Sequence, residues 1–174
     1  MSEVSKTLSI EPRFSSGKDP LAAIVWTLRS VRRQDGEQVT IEVPEGWTDT
    51  AARVFASHYL RVINGERETS ARQAIDRVAR TVSEWALLDG YADVSNAHNL
   101  RCEVAYMLVH QMWSPNSPVW YNIGTCDKPQ LSACFIASVK DTMESLSALQ
   151  TQETGLFRGG SGVGTNYSTL RHRN

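Results

Sequence analysis

Apolar positions along the chain change rhythm several times, and each change predicts an element. Residues 1–20, with Pro12, Gly17 and Pro20 among serines, lysines and glutamates, carry no sustained apolar period and are expected to form a mobile arm. The runs LAAIVWTLRSV (21–31) and QVTIEV (38–43) are strand-like. Gln34-Asp35-Gly36 between them predicts a hairpin, which Pro44 and Gly46 end. Ala51, Val54, Phe55, Tyr59 and Val62 recur at helical spacing until Asn64-Gly65 stops them, so a short amphipathic helix is expected there. Ser70 and Gln73 have the spacing of a capping box, and Ile75, Val78, Val82 and Trp85 continue the helical stripe to Asp89-Gly90. A further helix is expected over 96–112, with Leu100, Val104 and Leu108 on one face, broken by Ser114-Pro115-Asn116-Ser117-Pro118. Beyond it VWYNI and LSACFIAS read as strands, followed by a helix from Asp141, whose cap pairs with Glu144 and whose apolar side is Met143, Leu146 and Leu149. Helices first and β-α-β afterwards make an α+β fold, with no internal repeat.

Composition sharpens this. The 174 residues are 41% hydrophobic and 21% charged with five tryptophans, which is the make-up of a globular domain rather than a disordered chain. Eighteen Lys and Arg against nineteen Asp and Glu leave a net charge of -1, so no long-range positive field draws the protein to nucleic acid or an anionic bilayer. Apolar stretches such as Leu21 to Trp26 fall far short of the roughly 20 residues that span a bilayer, and the N-terminus lacks an apolar signal core. A soluble, cytoplasmic protein with neither nucleic-acid nor membrane partners is expected.

Candidate chemistry is sparse. Cys102, Cys126 and Cys134 form no CxxC pair, which indicates neither a disulfide framework nor a metal site and leaves only single-thiol chemistry. Cys134 lies in an alternating run where Ser132, Cys134 and Ile136 share one face, and its simplest reading is a buried structural cysteine, as for Cys102 in its helix. Cys126 in a polar loop is expected to be exposed. His58, His98, His110 and His172 are scattered without HxxxH or HExxH spacing. Arg29, Arg32 and Arg33 form a basic patch that is a solvated face by default, with an interaction role as the alternative. The run Gly159-Gly160-Ser161-Gly162-Val163-Gly164 is compatible with a phosphate cradle or with a flexible turn; it lacks the GK[ST] ending of a P-loop and follows a helix rather than a strand.

Five segments carry a resemblance: EVPEGWTDTAARVFASHYL, SARQAIDRVARTVSEWALLDGY, NSPVWYNIG, PQLSACFIASVKDTMESL and GLFRGGSGVGTNYSTLR. In this order, from about Val39 to Arg171, the chain resembles the N-terminal part of the class II, adenosylcobalamin-dependent ribonucleotide reductases. The resemblance implies a mostly helical N-terminal region with a short β-hairpin (21–113) leading into the first strands of a ten-stranded α/β barrel (114–174) that is incomplete in this chain. It implies replacement of the ribose 2′-hydroxyl by hydrogen through radical chemistry, with Cys134 as one of a redox cysteine pair. Ser117, Ala133, Cys134 and Gly162 match substrate-binding positions, and Asp141 matches the effector site that selects the nucleotide.

The same resemblance implies adenosylcobalamin in the complete enzyme and none bound by this chain alone. Its partners would be a ribonucleotide substrate, a nucleotide effector, the remainder of the reductase or a complementary subunit, and a second copy in a homodimer. Several features depart from the family. The radical cysteine, the partner of Cys134 and the C-terminal cysteine pair are absent, and Leu131 stands where many class II relatives have a cysteine. The chain is therefore expected to be inactive alone, as a fragment, a split-gene product or the segment before an intein. A non-catalytic nucleotide-binding or assembly module on the same fold is the alternative.

Overall fold

The computed structural model describes residues 7–172, and the chain divides between Pro115 and Asn116 into two compact units. In the first unit, β1 (Trp26–Arg32) and β2 (Gln38–Pro44) form the expected antiparallel hairpin, with Val31 opposite Val39 and Arg29 opposite Ile41. Val31, Ile41 and Val43 turn one face into the core. Leu21 to Ala23, expected as the start of the first strand, instead makes a helical turn, α1 (Pro20–Ala23). The Asp19 carboxylate accepts the Leu21 N–H at 2.9 Å, and Pro20 occupies a first-turn position where its missing N–H costs nothing.

Helix α2 (Asp49–His58) starts at the Thr48 cap and buries Ala52, Phe55 and Ala56. It ends before Val62, which the periodicity had included. Val62–Ile63 (β3) instead pairs with Glu66–Arg67 (β4) around Asn64 and Gly65, both at positive φ. The Asn-Gly pair that was expected to stop a helix therefore builds a two-residue hairpin turn.

Helix α3 (Ala71–Leu88) has the expected capping box: Ser70 Oγ accepts the Arg72 N–H at 3.0 Å, and Gln73 accepts the Ser70 N–H at 3.1 Å. Ile75 and Val78 are fully buried against α4 (Val94–Val109), which starts two residues earlier than expected because Asp93 caps it. Beside α3, Arg77 and Glu68 form an ion pair at 2.8 Å while only 3% and 7% exposed. Glu68 also accepts the Arg61 N–H at 2.9 Å, so the buried carboxylate is satisfied on both oxygens.

Residues 1–6 of the expected mobile arm lie outside the described residues. Residues 8–17 run along α4 and are tied to it. Ile10 donates to Asn96 at 2.6 Å, and Asn99 donates back to the Ile10 carbonyl at 2.8 Å. The Glu103 carboxylate accepts the N–H groups of Phe14 and Ser15 and the Ser15 hydroxyl, the last at 2.6 Å. Phe14 stacks on Tyr106 with ring centroids 5.9 Å apart. None of these ties has an apolar period, which is why the segment read as unstructured.

In the second unit, VWYNI is not a strand. Asn116 caps a short helix, α5 (Ser117–Asn122), by accepting the Val119 N–H at 3.2 Å, and Pro118 sits in its first turn. Trp120 and Ile123 are buried beneath it. Then come β5 (Cys134–Ser138), α6 (Met143–Arg158) and β6 (Gly162–Asn166), with β5 and β6 parallel. Thr142, not Asp141, caps α6, accepting the Ser145 N–H at 3.2 Å. The structure is thus α+β, with six helices and three two-stranded sheets among the described residues.

Candidate functional site at the β5–β6 strand pair

The parallel register places Cys134 opposite Gly162, Ile136 opposite Gly164 and Ser138 opposite Asn166. These six residues are exposed on one face, while Phe135, Ala137, Val163 and Thr165 are half-buried on the other. Of the two expectations for this position, the buried structural cysteine does not hold, because the Cys134 side of the sheet is open. Opposite the thiol stands a residue without a side chain. One step along, Ile136, 88% exposed, reaches across Gly164, where an added Cβ would come within 3.3 Å of its Cδ1.

The glycine run divides between two tasks. Gly159 caps α6, and Gly160 turns the chain at a φ of 82°, where an added Cβ would meet the Tyr121 ring at 3.2 Å. Gly162 and Gly164 are strand residues, so the segment is neither a phosphate loop ahead of a helix nor a free turn. Gly162 donates its N–H to the Ala133 carbonyl at 2.6 Å. An added Cβ at Gly162 would meet that oxygen at 3.7 Å, an ordinary contact.

Two residues that the sequence reading did not single out hold this arrangement. Ser161, only 5% exposed, donates its hydroxyl to the Ser132 carbonyl at 2.6 Å. Asn122, at the end of α5, spends its side-chain amide on the carbonyls of Gln130 at 2.7 Å and Gly159 at 2.9 Å. Together they fix the segments leading into β5 and β6. No periodic signal marks either residue, since each acts through one polar side-chain atom on backbone carbonyls outside its own element.

Ala133, Cys134 and Gly162 are therefore brought together on adjacent backbone, at the start of the strand pair. Ser117 is half-buried in the first turn of α5, and the tie from that helix to the β5 and β6 approaches runs through Asn122. Asp141 lies past the far end of β5. Contrary to expectation it is not a helix cap; its carboxylate pairs with Arg171 at 3.4 Å. Cys126 is exposed as expected. Cys102 is buried in α4, and burial pushes its thiol pKa up, which suits an inert thiol.

Among the described residues no group of three or more His, Cys, Asp or Glu could hold a metal ion, and no helix is long and apolar enough to cross a membrane. The open face of β5 and β6 offers a thiol, a hydroxyl, an amide side chain and one apolar side chain.

Residues 46–128 match the family model described as ribonucleotide reductase, all-alpha domain, and residues 132–174 match that of the ribonucleotide reductase barrel domain. The chain is 39% identical to a vitamin B12-dependent ribonucleotide reductase of Streptomyces clavuligerus, over 97% of this chain and 19% of the relative. It is 40% identical to that of Streptomyces coelicolor, over 89% of this chain and 17% of the relative. The corresponding protein of Rhodopirellula baltica is 36% identical over 94% of this chain and 20% of its own length. The chain thus spans about a fifth of the length of these relatives. With two consecutive domains of one enzyme matched in order, the protein belongs to the ribonucleotide reductase family and corresponds to an N-terminal portion of its vitamin B12-dependent members.

Proposed function

We propose that the second unit supplies the first two strands of a ten-stranded reductase barrel, and that Cys134 is one of the two thiols that reduce a ribonucleotide. In this reading the substrate loses its 2′-hydroxyl as water and gains hydrogen at that carbon, while Cys134 and a thiol on another strand give up two electrons and two protons and close a disulfide. A dithiol reductant then reopens it. The observation that carries this reading is the exposed thiol beside side-chain-free Gly162: a ribose can approach the sulfur there without meeting a Cβ. The Ala133 and Gly162 backbone and the Ser117 hydroxyl are the proposed hydrogen-bonding groups around the nucleotide. Asp141 is proposed to act at the effector site, built across a contact with a second copy.

The radical-generating chemistry of adenosylcobalamin is assigned to parts of the reductase outside this chain, as is the disulfide partner of Cys134. The 174 residues alone are accordingly proposed not to reduce nucleotides, and to do so when combined with the complementary part of a class II reductase. Dithiol-driven deoxynucleotide formation by that assembled enzyme, with and without the Cys134 thiol, tests the reading. Full turnover without the thiol would contradict it.

A further inference from the structure

In the first unit, arginines gather where the end of β1 meets α2. Arg32 and Arg53 line two adjoining clefts of about 290 and 650 Å³, the smaller walled also by Arg33 and Ser57. The other charges here are already engaged. Arg29 donates to Asp49 at 2.9 Å and to the Glu45 carbonyl at 2.7 Å. Arg33 pairs with Glu37 at 2.9 Å and Asp35 at 3.4 Å, and its buried Nε has no hydrogen-bond partner among the described residues. Arg32 spends one donor, Nε, on the Gly36 carbonyl at 3.1 Å. Among the described residues no carboxylate lies within 4.0 Å of the Arg32 or Arg53 guanidinium. The wall is also fixed: the Ser57 hydroxyl accepts the Gln34 N–H at 3.2 Å and donates to the Arg53 carbonyl at 2.7 Å, fastening the hairpin loop to α2.

Asp49 lines the larger cleft but is paired with Arg29, which leaves Arg32 and Arg53 without a carboxylate of their own; like charges this close repel one another, and a bound anion relieves that repulsion. Two guanidinium forks offer more donors than one carboxylate can accept, whereas a chain of phosphates takes a fork at each group. We propose that these two clefts together bind a polyphosphate, held by Arg32 and Arg53. The ligand is inorganic polyphosphate or the phosphate tail of a nucleoside triphosphate; both present the same chemistry. The site lies in the other unit from Cys134 and does not depend on the reductase reading.

Calorimetric titration of the 174-residue chain with inorganic triphosphate and with ATP, at about physiological ionic strength, tests this without any turnover. Saturable binding is expected, weakened about tenfold by Arg53→Ala and again by adding Arg32→Ala, and unchanged by Arg67→Ala on exposed β4. Arg53 is an exposed helical position where alanine is well tolerated, and melting curves verify that the variants fold. Tighter binding of ATP than of triphosphate assigns a nucleotide, and equal binding assigns the inorganic ion. Absence of saturable binding by the parent chain, or full affinity in the double variant, would overturn the proposal.

Discussion

Cys134 and Gly162 are register partners in a parallel strand pair, and the backbone bond that sets the register runs from Gly162 N–H to the Ala133 carbonyl. The strand needs this bond but not a left-handed backbone at 162, where an added Cβ would make only an ordinary contact. Gly162→Ala is therefore expected to change stability by less than about 1 kcal/mol. Gly160→Ala should cost about 1–2 kcal/mol, because φ there is 82° and a Cβ would press on Tyr121 at 3.2 Å. Melting temperatures of the two variants separate them. In the assembled reductase, Gly162→Val should raise the substrate Kd well beyond its effect on melting. If Kd stayed unchanged while melting fell, the open space beside Cys134 would have no part in binding.

Glu103 shows how a buried acid can hold a segment that has no apolar period of its own. Burial pushes its carboxyl pKa up, but hydrogen bonds from the Ser15 hydroxyl and the backbone of Ser15, Phe14 and Arg13 outweigh that and hold it below the usual glutamate value. The pKa in the folded state is lower than in the unfolded, so the stabilisation is present above the unfolded value, about 4.3, and is lost as pH falls through the folded one. Glu103→Gln should cost about 1.5–3 kcal/mol at neutral pH and flatten the loss of stability on acidification. Melts across pH 3–6 check the slope, and amide exchange over residues 8–17 checks the release of the segment.

Arg77 and Glu68 make a case where removing one partner is worse than removing both. Arg77→Met leaves an unpaired buried carboxylate and should cost about 3–5 kcal/mol, whereas Glu68→Leu with Arg77→Met should recover part of that loss. Urea denaturation of the single and double variants reads the difference.

Asp141 and Thr142 can be told apart because they are neighbours with different tasks. Thr142→Ala removes the α6 cap and should cost about 1 kcal/mol. Asp141→Asn loses only a pair with Arg171, which is 86% exposed, and should leave stability unchanged. If Asp141 acts at the effector site, its substitution alters how nucleotide effectors select substrate in the assembled enzyme, and Thr142→Ala does not. Effector-dependent product ratios measure this.

Much of the framework is legible in local signals. The Ser70–Gln73 box, the Val31 and Ile41 alternation and the Ile75 and Val78 stripe each act within a few residues, so pattern and structure agree. The apolar pattern misleads where a cap or a turn overrides it. Val119 to Ile123 looks like a strand because it is β-branched and aromatic, but the Asn116 cap and Pro118 start a helix. Val62 fits the α2 stripe, yet Asn64 and Gly65 at positive φ make a hairpin. Leu21 belongs to a capped turn rather than to β1. At the site, the alternation of Cys134 and Ile136 was visible, but its exposure was not, because alternation does not say which face is covered. Asn122, Ser161 and Glu103 were invisible for another reason: each works through bonds to backbone dozens of residues away or in another loop, and no spacing rule reports those.

Dithiol-driven turnover of the assembled reductase tests the proposed role of the Cys134 thiol most directly. Cys134→Ser keeps the size and a hydrogen-bonding oxygen, so nucleotide binding should survive, but serine cannot form the disulfide that carries two electrons away. Turnover with a dithiol should be abolished in Cys134→Ser and preserved in Cys102→Ser and Cys126→Ser, whose thiols lie buried in α4 and exposed in a loop. Near-parental turnover in Cys134→Ser, in an enzyme that still binds its nucleotide, would contradict the redox role given to this residue.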